Sequence, residues 1–264
     1  MMSIWRAIAE LEESNQVGIL CTIIRSQGST PRHAGSKMLV FPDGHIVGSI
    51  GGGELESRVI STALEMIGDG QPRFLEFSMI DPERGDPGVC GGQVEIYMEP
   101  ILPKPTLVVV GAGHVGRSVA HLANWLGFKV VVSDDRPEYC DPQLIPEAEE
   151  FHTGPLADLP AQVQITDWTY LVLTTRSVDI DVPGLPGLLD SPAAYIGVIG
   201  SRRRWETTRE QLTEKGLAED KIDRVRSPMG LDIAAETPEE IAVSIMAEII
   251  QLRAVKTQEE SLSD

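Results

Sequence analysis

The 264-residue chain holds three cysteines, Cys21, Cys90 and Cys140. They are too few and too scattered for a disulfide framework, and no C-x-x-C pair offers a zinc site. Free thiols in a reducing compartment are the expectation. Long apolar runs are missing too, none approaching the roughly 18 residues that span a bilayer. The N-terminal MMSIWRAIAELEESNQ has neither the basic start nor the apolar middle of a signal peptide, and a cytoplasmic location follows as an expectation. Cations are scarce, with 22 Lys and Arg against 40 Asp and Glu and a formal net charge of -18. That balance argues against binding a nucleic-acid backbone. There is no internal repeat and no low-complexity segment.

What is present is a hydrophobic fraction of 42% and a pattern of two blocks. In the first, SIWRAIAELEES carries Ile4, Ala7, Ile8 and Leu11 at helical spacing. VGILCTIIR, KMLVF and HIVGSIGGG read as strands, the last entering a glycine corner, with a PDG turn before it. ELESRVISTALEMIGDG reads as an amphipathic helix stopped by Gly68 and Gly70, and PRFLEFSMI and GQVEIYMEPI as two further strands. LPKPT is a proline-bracketed linker. Beyond it TLVVV, KVVVSDD, TYLVLTT and AAYIGVIG are continuous apolar runs, as in a parallel sheet buried on both faces. Thr237, Pro238 and Glu240 form a capping box before the last long helix. The expected organisation is α/β, with a small N-terminal αβ domain (1–101), a linker (102–105), a Rossmann-like doubly wound parallel-sheet domain (106–256) and a flexible tail (257–264).

Gly111, Gly113 and Gly116 make a G-x-G-x-x-G turn between an apolar strand and a helix. In such a turn the first glycine allows the tight bend, the second lets a phosphate approach and the third lets helix and strand pack closely. His114 lies inside the turn. Asp134 and Asp135 end the next strand, where an acid that binds a ribose diol belongs. Hydride transfer needs a general acid or base beside the acceptor. The second block has no Tyr-x-x-x-Lys pair, His121 falls within the first helix and His152 in a loop.

The first block is unusual for so acidic a chain. SQGSTPRHAGSKMLV packs hydroxyls and cations into one loop, and GSIGGGELE and GVCGGQ are further glycine-rich segments. All three flank strands, so they are expected to gather at one rim of a sheet. Ser29, Thr30, Arg32 and Lys37 would supply donors to an oxyanion, with Gly52, Gly53 and Gly91 allowing close backbone approach. The cationic cluster Arg202 to Arg204, with Ser201 before it, opens a helix after AAYIGVIG and is a candidate phosphate holder.

Together GSTPR..GSKMLV, GSIGGGELE, GVCGGQVEI, VVVGAGHVG, DDRPE, YIGVIGSRRR and RVRSPMGLDIAAETPEEIAVSIMAEI resemble the XdhC family, the xanthine dehydrogenase accessory factors. The resemblance runs in order along nearly the whole chain. It implies a non-catalytic maturation factor that binds molybdenum cofactor (molybdopterin) as cargo and passes it to a molybdenum hydroxylase of the xanthine dehydrogenase type. It also implies a homodimer and, for some members, work with a cysteine desulfurase. On this reading Cys90 faces molybdenum, and the loop Ser29, Thr30, Arg32 and Lys37 meets the cofactor's anionic groups, with the cleft between the two domains as the site. Many relatives carry a Cys where this chain has Glu54, and some a His-rich stretch where it reads TTRSVDID. Two other readings stand beside it: an NAD(P)-dependent oxidoreductase using the glycine turn and Asp134, and an assembly module that binds a nucleotide and a partner protein.

Overall fold

The computed structural model describes residues 2–79 and 91–261. It divides into two compact units, Met1–Pro103 with Val255–Asp264, and Lys104–Ala254.

In the first unit α1 (Ile4–Glu13) starts at Ser3, whose hydroxyl accepts from the Arg6 amide. Strands β1 (Gly18–Gln27), β2 (Lys37–Val40) and β3 (Ile46–Gly48) precede α2 (Gly53–Asp69), and β4 (Arg73–Ser78) and β5 (Gln93–Ile101) follow it. They form one antiparallel sheet in the order β3-β2-β1-β5-β4. Side chains alternate across a strand, and here the alternation feeds two cores. Ile19, Cys21, Ile23, Met38 and Val40 pack with Leu55, Val59 and Ala63 of α2. The residues between them, Leu20 and Leu39, pack with Ala7 and Leu11 of α1.

The second unit opens with β6 (Thr106–Val110), α3 (His114–Trp125) and β7 (Lys129–Asp134). It continues through β8 (Glu150–Thr153), the short α4 (Leu159–Gln162), β9 (Thr169–Leu173) and α5 (Val178–Leu189). Then come β10 (Tyr195–Val198), α6 (Arg202–Glu214), the short α7 (Glu219–Ile222), β11 (Val225–Arg226) and α8 (Pro238–Ser261), of which the part up to Ala254 belongs to this unit. The sheet runs β11-β10-β9-β6-β7-β8 with every pairing parallel. Numbered within this unit the order is 6-5-4-1-2-3, the doubly wound dinucleotide-binding arrangement, with its switch point between β6 and β9.

Each face of that sheet has its own core. Leu107, Val109, Val130 and Val132 meet Val119, Ala120 and Ala123 of α3 and Ile245 and Ile249 of α8. Val108, Val110, Leu171 and Leu173 meet Val182, Leu185 and Leu188 of α5 and Leu212 of α6. Continuous apolar strands are therefore required, since neither face meets water. The capping box forms as expected: Glu240 accepts from the amides of Glu236 and Thr237, and the Thr237 hydroxyl accepts from the amide of Glu240. α8 continues through Ser261, across much of the segment expected as a tail. Among the described residues no helix is long and apolar enough to cross a membrane.

Candidate functional site

In the first unit the three glycine-rich segments meet. A Cβ on Gly92 would lie 2.3 Å from the Ser29 carbonyl oxygen, so only glycine lets this segment lie against the 26–30 loop. A Cβ on Gly51 would lie 3.0 Å from Cβ of Pro31, which joins the glycine corner to the same loop. The neighbours take much of the polar capacity of this rim. Glu56 Oε2 accepts from the Ser49 hydroxyl at 2.8 Å and from the amides of Ile50 and Gly52 at 3.1 Å. Lys37 Nζ donates to Thr22 Oγ1 at 2.9 Å, along the sheet. Thr30 Oγ1 donates to the Arg32 carbonyl, and Gly91 N donates to the Met79 carbonyl. Glu54 pairs with Arg58 one turn along α2, leaving Gly53 exposed at the helix start. What the loop still offers is Ser29, Arg32 and His33, all exposed and without a side-chain partner among the described residues. Arg32 is therefore its available cation. Cys90 lies outside the described residues.

In the second unit the glycine turn opens a cleft of about 270 Å³ at the β6/β9 switch point. The three glycines have separate roles. A Cβ on Gly116 would meet the Gly111 carbonyl oxygen at 2.0 Å, and one on Gly111 would meet the Thr174 carbonyl oxygen at 2.7 Å. These two let the helix, the turn and β9 close on one another. A Cβ on Gly113 would meet nothing within 4 Å. Gly113 is also the N-cap of α3 and has no side-chain cap, so the amides of the first turn face open space where an anion is favoured.

The acids at the end of β7 are both engaged. Asp134 Oδ2 accepts from the Ala112 amide at 2.8 Å and from Arg136 Nη2 at 3.0 Å, while Oδ1 accepts from the Arg136 amide and Nε. The Asp134 side chain is 1% exposed. Asp135 is held bidentately by Arg176 at 2.6 and 2.5 Å, and that guanidinium lowers its pKa to about 2. The Arg136 guanidinium lies 3.7 Å over the Tyr139 ring, with Arg117 at 5.7 Å from the same ring. Thr174 ties the turn to β9 by donating to the Gly111 carbonyl.

The cleft thus brings together Gly111, Gly113, His114, Asp134 and Asp135, with Gly116 buried behind them. Ser201, Arg202 and Arg203 are exposed on the same edge of the sheet but do not line it; Ser201 is the N-cap of α6. Arg204, expected with them as a phosphate holder, reaches inward instead, because its guanidinium is the cation that donates to the fully buried Asp181 and to the Thr175 carbonyl and hydroxyl. Sequence reasoning missed Arg117, Arg136 and Tyr139. The signal for two of them was the spacing in DDRPEY, where Pro137 starts a short 3-10 turn that stacks Arg136 on Tyr139. Among the described residues no group of three or more His, Cys, Asp or Glu could hold a metal ion.

Comparison with known proteins adds the following. The family model described as XdhC Rossmann domain matches residues 107–249, and the XdhC and CoxI family model matches 11–78. YqeB of Escherichia coli, an uncharacterised protein, is 37% identical over 96% of this chain and 46% of its own length. From Bacillus subtilis, a protein named as a probable xanthine dehydrogenase subunit is 37% identical over 60% of this chain and 46% of its own. This chain therefore spans about half the length of those two relatives. The molybdenum cofactor insertion chaperone PaoD of Escherichia coli is 23% identical over 98% of this chain and 91% of its own. Among solved structures, that of a protein named as a xanthine dehydrogenase from Bacillus halodurans aligns with a TM-score of 0.53 at 24% identity, covering 96% of each chain, and shows the fold.

Proposed function

Because the chain belongs to the XdhC family, we propose that it is a maturation factor that holds molybdenum cofactor as cargo and delivers it to a molybdenum hydroxylase of the xanthine dehydrogenase type. The observation that carries this is the collinear likeness to PaoD, a cofactor insertion chaperone, across both units. The role is that of a carrier.

The cargo is an anionic pterin phosphate bearing a dithiolene and an oxo metal. The N-terminal rim supports such a ligand in a specific way. Arg32 is exposed there and, like the Ser29 hydroxyl, has no partner among the described residues, and the start of α2, which has no side-chain cap, adds backbone donors. In a chain of formal net charge -18 an anion has to be captured by such local groups against the global field. The same acidic surface suits a client with a basic docking patch.

The test is transfer. The purified chain is loaded with molybdenum cofactor under anaerobic conditions, separated from free cofactor and mixed with a cofactor-free hydroxylase of the xanthine dehydrogenase type. The expected result is client activity that appears faster than with the same amount of free cofactor, and more slowly with Arg32→Ala. Equal rates with and without the chain would refute delivery.

A further inference from the structure

The cleft of the second unit has a lopsided hydrogen-bonding capacity. Its inner carboxylate has no capacity to spare, because Asp134 takes four bonds from the Ala112 amide and Arg136, and the outer one, Asp135, is tied bidentately to Arg176. Its donors do. Arg136 Nη1 and both terminal nitrogens of Arg117 have no partner among the described residues, and the His114 ring is exposed and unpaired. Gly113 leaves open space at the first-turn amides of α3. A ligand that uses these free donors brings acceptors at two places.

The first place is the start of α3, where the doubly wound fold puts a pyrophosphate. The second is the end of β7, where a diol-binding fold offers a free carboxylate to the ribose. That carboxylate is absent in effect. Freeing Asp134 would strip a buried amide of its acceptor and unstack Arg136 from Tyr139, which is unfavourable for both groups. What faces the ribose position instead is a guanidinium whose plane is fixed by the ring beneath it. Arginine in a fixed plane is suited to a phosphate, and its open face to a base.

We propose that this cleft selects nucleotides carrying a phosphate on the ribose, NADP(H)-like rather than NAD(H)-like, with Arg136 as the specificity-determining residue and Tyr139 fixing its plane. Arg176 borders the same position and can exchange Asp135 for the ligand's phosphate. The proposal is independent of the carrier reading, since it concerns the second unit and a different ligand.

Isothermal titration of the full chain tests it, with NADPH, NADH, 2′,5′-ADP, 3′,5′-ADP and 5′-ADP as probes. NADPH is expected to bind at least ~10-fold more tightly than NADH, the worth of one charge-assisted contact. Either bisphosphate should bind more tightly than 5′-ADP, and the better of the two identifies which ribose oxygen carries the phosphate. Arg136→Gln should bring NADPH to the affinity of NADH while leaving NADH within about threefold. Tyr139→Leu leaves the Asp134 contacts in place, and so carries the test if Arg136→Gln melts early. NADH binding as tightly as NADPH would overturn the proposal, as would a folded chain that binds none of the probes at millimolar concentration. An NADPH/NADH ratio unchanged in both folded variants would do the same. Pterin retention by the first unit is unaffected by any of these outcomes.

Discussion

Replacing Gly113 and Gly116 separately by Ala separates packing from binding in the glycine turn. At Gly116 the added methyl would sit 2.0 Å from the Gly111 carbonyl oxygen and 2.9 Å from Thr174 Oγ1. Both neighbours are held, the hydroxyl by its bond to that same carbonyl. Overpacking against fixed backbone costs up to ~3 kcal/mol. Ala recovers about 1 kcal/mol of helix propensity over Gly. The difference, about 2 kcal/mol, lowers the melting temperature of the second unit by roughly 4–8 °C for a unit of this size. At Gly113 the backbone already has φ -71°, open to any residue, and the methyl meets nothing. Gly113→Ala should therefore melt within about 4 °C of wild type, yet bind nucleotide at least ~10-fold more weakly, because its methyl occupies the phosphate position. Differential scanning calorimetry and nucleotide titration on the two proteins give both numbers. A Gly116→Ala chain as stable as wild type would refute the packing argument. A Gly113→Ala chain that binds nucleotide normally would refute the assignment of the open cradle.

Arg204→Met leaves the carboxylate of Asp181, which is fully buried, without its cation. Urea unfolding should show a loss of about 3–5 kcal/mol, much of it recovered in the double variant Asp181→Leu/Arg204→Met. Asp135 titrates near pH 2 when folded and near 3.9 when unfolded, so its contribution is complete above the unfolded value and is lost as pH falls toward 2. With the pair partly exposed it amounts to no more than about 1 kcal/mol. Arg176→Gln should flatten the stability profile between pH 4 and 2, as read by urea unfolding. Burial pushes the Cys21 thiol up to about 12, so iodoacetamide at pH 8 should leave it unmodified until the chain is unfolded, with peptide mapping as the readout. Tyr195→Phe removes the hydrogen bond to Glu248 and should cost about 1 kcal/mol in the same urea assay.

The strands and long helices were legible because their signals are local and redundant. LVVV of Leu107–Val110 and VVV of Val130–Val132 are unbroken apolar runs, and both faces of that sheet are covered. α5 carries no such signal. Pro183, Gly184, Pro186 and Gly187 all speak against a helix, yet Val178–Leu189 is helical because it is buried against the sheet. Gly184 is needed there, since a Cβ on it would meet Leu156 Cγ at 2.2 Å. Tertiary packing overrides propensity at that point. β8 is four residues of mixed polarity, and its place is set by pairing with β7. In the site, the type of residue at each position was readable but its partner was not. That Asp134 ends a strand beside the glycine turn follows from spacing. That an arginine two residues on fills its acceptor sites depends on the bend at Pro137, which only the folded chain displays.

The carrier reading stands or falls most directly on retention of the cargo. The purified full chain is titrated anaerobically with molybdenum cofactor, passed through an ultrafiltration membrane, and the retained fraction is oxidised and read by pterin fluorescence. The account predicts saturation near one pterin per chain, weakened by Arg32→Ala and insensitive to NADPH. A chain that is folded by circular dichroism but retains no pterin would contradict it.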